Sequence, residues 1–534
     1  MFKRSLTSLT ILLLTVSILS ACSSGINVGG LFADDESAEP NYNIGIAIES
    51  MDTLNPAISK GEDCYYISKL IYSGLFKFDD MLVPQPDLAV SYSYDSSHSS
   101  VDITLRDDVV WHDGERFTPQ DVKFTIDAYK TLAASGQTIY AQYVANIRSV
   151  TVSAADRVTI VFGSDDAVGI ESLVFPILPS HLFRNASALA SAEADFKPVG
   201  TGMYKVEEYN AMKNLILTAN EDYYGEKAEN KIIFQILPSR NDGVNLMDIN
   251  DVMLVFSKDY GRDTLIANRN LKVKSYLSNE TETLVFNCAR SIISDKNVRQ
   301  AIAYLINNES ILEKVYYKNG VLADSIIYDN FYGIENEGDI YTADIEKAQE
   351  LLLKAGCYDR DEDGYRDDRD GNMLEFSLLV DGADSYKYQT AVMIKSALES
   401  CGMIVNMDIA EGESYQEKLR LRDYDMLIAT CSINERYDLR SLIHSAYNNP
   451  AMYANETADS LTVDMVSANT VREKAETTAK LKDILIDEVP YYPIIRKTYG
   501  VVYSQDFDGE LNPMFNNIYN DCGKWSYTKK NKKS

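Results

Sequence analysis

An imidazole and a carboxylate stand side by side in LRDDVVWHDGERFTPQDVKF, Leu105–Phe124: His112 and Asp113. Such a pair is the equipment of general acid–base catalysis, in which a positioned side chain moves a proton to or from the reacting group. Neighbours in sequence point to different sides of the chain, so that use needs further partners, which the sequence does not advertise. The four histidines, His98, His112, His181 and His444, form no HExxH and no other zinc-ligand spacing. There is no GxSxG elbow, and the SxxK match at Ser526–Lys529 falls in the polar tail SYTKKNKKS. The GTG at Gly200–Gly202 lacks the third glycine and the βαβ setting of a dinucleotide fingerprint, so it is expected to be a turn with unusual backbone angles. No catalytic residue is assigned, and the chain is expected not to be an enzyme.

One motif has ligand spacing. DRDEDGYRDDRDG places Asp359, Asp361 and Asp363 at positions 1, 3 and 5 of a calcium loop, with Gly364 at 6, Tyr365 at 7, Asp367 at 9 and Asp370 at 12. Oxygen donors at that spacing suit a hard cation. Position 12 is nevertheless Asp rather than the bidentate Glu, and Arg360, Arg366 and Arg369 fall inside the loop. Two readings therefore stand: Ca²⁺ held by these acids and Tyr365, or a solvated hairpin turn before the strand MLEFSLLV. No other cofactor is required.

The elements around His112 account for nearly every residue of the opening stretch. SVDITLR alternates apolar and polar residues as a half-buried strand does, and DDVVWHDG ends in a Gly turn. TPQDVKFTIDAYKTL starts a helix, with Thr118 as N-cap and Pro119 at the first helical position. His112 and Asp113 fall in the connection and are expected to do structural work. Trp111, Trp525 and the tyrosine pairs 65/66, 223/224 and 491/492 are likewise expected to be mainly packing residues.

Compartment follows from the first residues. MFKRSLTSLTILLLTVSILSAC carries Lys3 and Arg4, an apolar run and then small residues, a signal peptide over 1–21. LSAC resembles the lipobox of bacterial lipoproteins, which makes Cys22 the lipid attachment site. Residues 22–41 are rich in Ser, Gly and acids and read as a flexible tether. The roughly 490 residues beyond it suffice for two or three domains. A formal charge of -29 repels nucleic acid and anionic lipid head groups, which weighs against both as partners of the body. The six remaining cysteines, 64, 288, 357, 401, 431 and 522, are scattered without a CxxC and read as small buried thiols.

The opening stretch resembles the L-x-x-x-V-x-W/F-H-D-G-x-x-x-T-A-x-D-V signature of extracytoplasmic solute-binding proteins of the peptide/nickel ABC-transporter family, family 5. Other segments resemble that family in the same order: MDTLNPA (Met51–Ala57), LIYSGLFKFD (Leu70–Asp79), VPQPDLAVSY (Val83–Tyr92) and PVGTGMYKV (Pro198–Val206). Asp295, Val298, Arg299, Ala301 and Ile302 match its D-x-x-V-R-x-A-I helix. The resemblance covers nearly all of the mature chain.

It implies an α/β, two-lobed, periplasmic-binding-protein-like (type II) fold with an extra inserted domain, three in all. Domain I would be discontinuous, 42–76, 197–284 and 495–528; domain II would span 77–196, domain III 285–494, and 529–534 would be a tail. A clamp of this kind closes on its ligand about the chain crossings. The implied function is capture of oligopeptides between the lobes and delivery to an ABC permease, by a monomer anchored through lipid on the outer face of the cell membrane. The alternatives are the same clamp with a metal chelate or oligosaccharide, and a ligand-sensing surface receptor without transport. In peptide binders of the family a carboxylate after a YDM…GW…D-P run pairs with the ligand's amine. Here YDMLIATCSINERYDLRSL, Tyr424–Leu442, puts Cys431 where Trp is expected and Leu439 where Pro is expected, with Asp438 or Asn434 standing for the acid.

Overall fold

The alternation in SVDITL is realised as the strand Ser100–Leu105, whose Val101, Ile103 and Leu105 are buried. The helix that follows spans Pro119–Ala134 and is closed at its start by Asp121, whose carboxylate accepts the Thr118 N–H at 2.8 Å. The computed structural model describes residues 41–95, 99–163, 169–192, 196–247, 252–258, 271–468 and 470–528. The signal peptide, Cys22, nearly all of the tether, His98 and the 529–534 tail lie outside the described residues.

Eleven strands form one mixed sheet among the described residues. From one edge its order is Ile404–Ala410, Glu375–Asp381, Met426–Ser432, Leu271–Phe286, Tyr491–Ser504, Leu254–Ser257, Asn43–Ile48, Lys231–Ile236, Asn214–Ala219 and Tyr204–Asn210, with Gly320–Val321 also paired to Tyr491–Ser504. Two of these strands are exceptionally long. Leu271–Phe286 and Tyr491–Ser504 run antiparallel from Leu271 opposite Ser504 to Val285 opposite Tyr491. The ribbon's Leu271/Ser504 end pairs with Leu254–Ser257 of one lobe and its Val285/Tyr491 end with Met426–Ser432 of the other. Between the ends the register shifts, between Leu277 and Thr281 and again between Glu282 and Thr283, and bulges of this kind bend and twist a ribbon.

The cores divide accordingly. One apolar cluster draws on residues between Ile44 and Phe256 and between Val501 and Trp525, and it includes Trp111 and Trp525, both buried as expected. Within this first lobe the strands Ala89–Tyr94, Ser100–Leu105, Arg157–Phe162 and Ile147–Ala154 make a separate antiparallel sheet, in that order, beneath the helix Pro119–Ala134. A second cluster draws on residues from Leu284 to Ile495 in the other lobe. A third mixes the lobes: Leu82 and Val83, at the tip of the first lobe's hairpin Phe76–Phe78/Pro84–Pro86, share it with Phe331, Tyr332 and Tyr437 of the second. The Tyr332 N–H donates to the Met81 carbonyl at 2.9 Å, tying that tip across the gap.

The turn at Gly200–Gly202 departs from the sequence expectation. Neither glycine has a positive φ. What excludes a side chain is the backbone of Ile71, whose carbonyl oxygen lies 1.8 Å from where a Cβ on Gly200 would sit and 2.7 Å from one on Gly202. His112 braces the same turn, its Nδ1 accepting the Gly200 N–H at 3.1 Å while Nε2 meets the Gly202 carbonyl at 3.2 Å. Asp113 pairs instead with His181 at 2.8 Å. The two neighbours thus serve different partners.

Candidate ligand site between the lobes

The strand Met426–Ser432 ends at the seam between the lobes, and the loop that follows it carries Asn434, Glu435 and Asp438. Glu435 is buried, and its contacts reach across the seam. Its carboxylate accepts hydrogen bonds from Tyr65 Oη at 3.0 Å and Tyr143 Oη at 3.0 Å, and meets Lys69 Nζ at 3.1 Å. Tyr65 and Lys69 lie one turn apart on the helix Glu62–Ile71, and Tyr143 lies in the short helix Ala141–Val144. Burial, then the charge of Glu435, pushes the Tyr65 and Tyr143 phenols well above their ordinary range, so both remain donors at neutral pH.

A second crossing runs the other way. Glu171 of the first lobe is paired with Lys474 and accepts from Tyr332 Oη at 3.0 Å, both in the second lobe. Burial alone would raise the Glu171 pKa, but the Lys474 ammonium outweighs it and holds the carboxyl below its ordinary value. Each lobe therefore offers one carboxylate to cations and phenols of the other.

The residues expected from sequence to touch ligand are distributed around this node. Asn434 is exposed, its Nδ2 3.4 Å from Gln142 Oε1. Asp438 faces two guanidinium groups: Arg440 binds it with Nε at 2.9 Å and Nη2 at 2.7 Å, and Arg436 approaches to 3.8 Å. Burial would raise the Asp438 pKa, yet Arg440 chiefly, with Arg436, keeps it below the carboxylate norm. Cys431 is buried beneath the loop, Sγ 3.3 Å from Thr283 Oγ1, with burial pushing its thiol up to about 11. The loop thus carries Asn434 and Asp438, Cys431 is held within the second lobe's sheet, and the seam's best-connected acid is Glu435. Sequence reasoning passed over Glu435 and treated Tyr65 as packing, because their partners lie hundreds of residues away.

At the acidic loop, Asp359, Asp361 and Asp363 bring carboxylate oxygens within 4.8 Å of one another, all exposed. Asp367 and Asp370 are not in that group. Asp359 accepts the N–H groups of Asp363 and Gly364 at 3.2 and 3.0 Å, and Asp367 accepts that of Arg360 at 3.1 Å. The arginines pin the loop: Arg366 donates to the carbonyls of Cys401 and Cys357, and Arg369 to that of Ala355.

The seam is built of acceptors, donors and aromatic faces drawn from both lobes. Residues 83–492 match the family model for bacterial extracellular solute-binding proteins, family 5 Middle. The chain belongs to that family. This family 5 protein is 23% identical over 542 residues to the oligopeptide-binding protein AppA of Bacillus subtilis (strain 168), with 98% of each chain covered. It is 26% identical over 420 residues to the nickel-binding periplasmic protein of Escherichia coli (strain K12), with 75% of each covered. Among solved structures it superposes on NikZ from Campylobacter jejuni in complex with Ni(L-His) with a TM-score of 0.66, at 23% identity over 91% of this chain and 100% of that one. The two-lobed α/β architecture inferred from sequence is therefore the family 5 fold, and the protein is a solute-binding protein.

Proposed function

We propose that this protein is the substrate-binding component of an ABC importer, anchored outside the cell membrane through a lipid on Cys22, and that it captures oligopeptides between its lobes for delivery to the permease. The observation that carries the peptide reading is Glu435: a buried carboxylate at the seam, ringed by two phenols and an ammonium, suits a ligand that brings a cationic amine. Asn434 and Asp438 flank it in the same loop, and Asp438 already has two guanidinium partners. Phenolic side chains around the seam suit a pocket that must take varied side chains, since each offers a flat apolar body with one polar end. The nickel-binding relative raises a metal chelate as a second cargo. The described histidines, His112, His181 and His444, have partners other than the seam residues, so a chelate at the seam would not draw on them.

Native mass spectrometry of the soluble form beginning after Cys22, followed by denaturation and sequencing of released material, tests the assignment. A ladder of peptide masses is expected. A single non-peptide mass, or a protein that ignores peptide mixtures, would overturn the oligopeptide reading.

A further inference from the structure

We propose that Lys69 is a tethered competitor for the ligand's ammonium group: without ligand its Nζ neutralises Glu435, and an amine-bearing ligand binds by displacing it. The inference rests on the oligopeptide reading above and adds a residue that sets its specificity. Lys69 Nζ lies 3.1 Å from Glu435 Oε2, 2.8 Å from the Asn516 carbonyl and 2.9 Å from Tyr65 Oη, and 4.4 Å from the centroid of the Tyr65 ring. One carboxylate, two neutral acceptors and an aromatic face are what an alkylammonium needs to leave water. A peptide's N-terminal amine is the same functional group, so the cage that satisfies Lys69 would satisfy the ligand, and two ammonium groups cannot share it.

The two partners differ in their freedom. The Lys69 side chain is 22% exposed and that of Glu435 only 4%. The cation sits on a flexible four-carbon stem and can withdraw, whereas the acid is fixed at the seam. Somewhere to withdraw to is at hand: Lys69 also lines a cavity of about 250 Å³ whose wall includes the exposed carboxylate of Asp521, which can serve as a new counter-ion, beside Asp87, which already faces Lys77. Every residue lining that cavity belongs to the first lobe, so it persists whether the clamp is open or shut. The exchange also explains why Glu435 tolerates burial without ligand, because a buried carboxylate left unpaired costs several kcal/mol.

Lys69→Met, which keeps the stem and removes the charge, tests the idea by calorimetry with a library of tri- to pentapeptides carrying free N-termini and with the same library N-acetylated. Lys69→Met is expected to bind the free-amine library about tenfold tighter than the natural protein, with the acetylated library unchanged, and Glu435→Gln to lose the distinction between the two. Unchanged or weaker free-amine binding by Lys69→Met would overturn the proposal. If the natural protein binds neither library, the oligopeptide reading fails, and the cage is judged separately. Lys69→Ala should then gain melting temperature saturably with n-butylammonium chloride while the natural protein does not. No saturable gain overturns the Lys69 assignment as well. Should removal of the charge alone prevent folding, Lys69→Met combined with Glu435→Gln removes both members of the pair. That double variant is expected to bind the two libraries alike, and retained free-amine preference would overturn the proposal.

Discussion

His112 shows what an eye-catching side chain does when the fold, not chemistry, has claimed it. Burial lowers its pKa to about 4, helped slightly by Lys205 and opposed by the Gly202 carbonyl. In the unfolded chain the imidazole takes a proton near pH 6.5, whereas in the folded protein it stays neutral down to about pH 4. The unfolded state therefore binds more protons in that window, and the stability this group contributes is intact above pH 6.5 and is lost as pH falls toward 4. The loss is on the order of 3 kcal/mol at the lower end. Melting temperature measured from pH 7 to 4.5 is expected to fall less steeply in His112→Gln than in the natural protein; parallel profiles would show that the imidazole is not the sensor. The role was legible in the sequence only as far as the connection between a strand and a capped helix. That Gly200 and Gly202 would be its partners, 88 and 90 residues away, was not.

Elements were more legible than sites, because strands and helices are specified locally. The alternation of SVDITL and the Thr118–Pro119 start of the helix need only a few neighbours to be read, and both elements formed where expected. The ring around Glu435 needs Tyr65 and Lys69 of one helix, Tyr143 of another and Asn516 of a C-terminal loop, and no short motif encodes that meeting. The acidic loop is an intermediate case. Its spacing named the convergent carboxylates Asp359, Asp361 and Asp363, but the arginines read as intruders turn out to anchor it to the body by carbonyl contacts. Backbone and arginine contacts hold the loop's shape. Millimolar calcium is accordingly expected to leave the melting temperature within about 1 °C, and a larger saturable rise would assign the ion a structural role there.

At the scale of the whole molecule, the lobes meet through the Glu435 and Glu171 crossings and through the hairpin tip at Leu82. Leu82 holds φ 58°, a left-handed backbone that costs a residue with a Cβ about 1–2 kcal/mol. Yet it is 1% exposed, in a cluster shared with the second lobe. A side chain that accepts strain in order to reach the other lobe should matter to closure. Leu82→Gly removes both the strain and the reach. Small-angle scattering of the ligand-free protein is expected to show a larger radius of gyration in this variant, whereas an unchanged radius would mean that the leucine serves the hairpin alone. The pairing of Tyr491–Ser504 bears on the order of events during production. That strand lies mid-sheet, against Leu254–Ser257 and Leu271–Phe286, and far downstream of both in sequence. A chain emerging N-terminus first keeps both partner edges open until that stretch arrives, since pairings so distant in sequence close slowly. The topology itself thus makes closure of the central sheet a late event in folding.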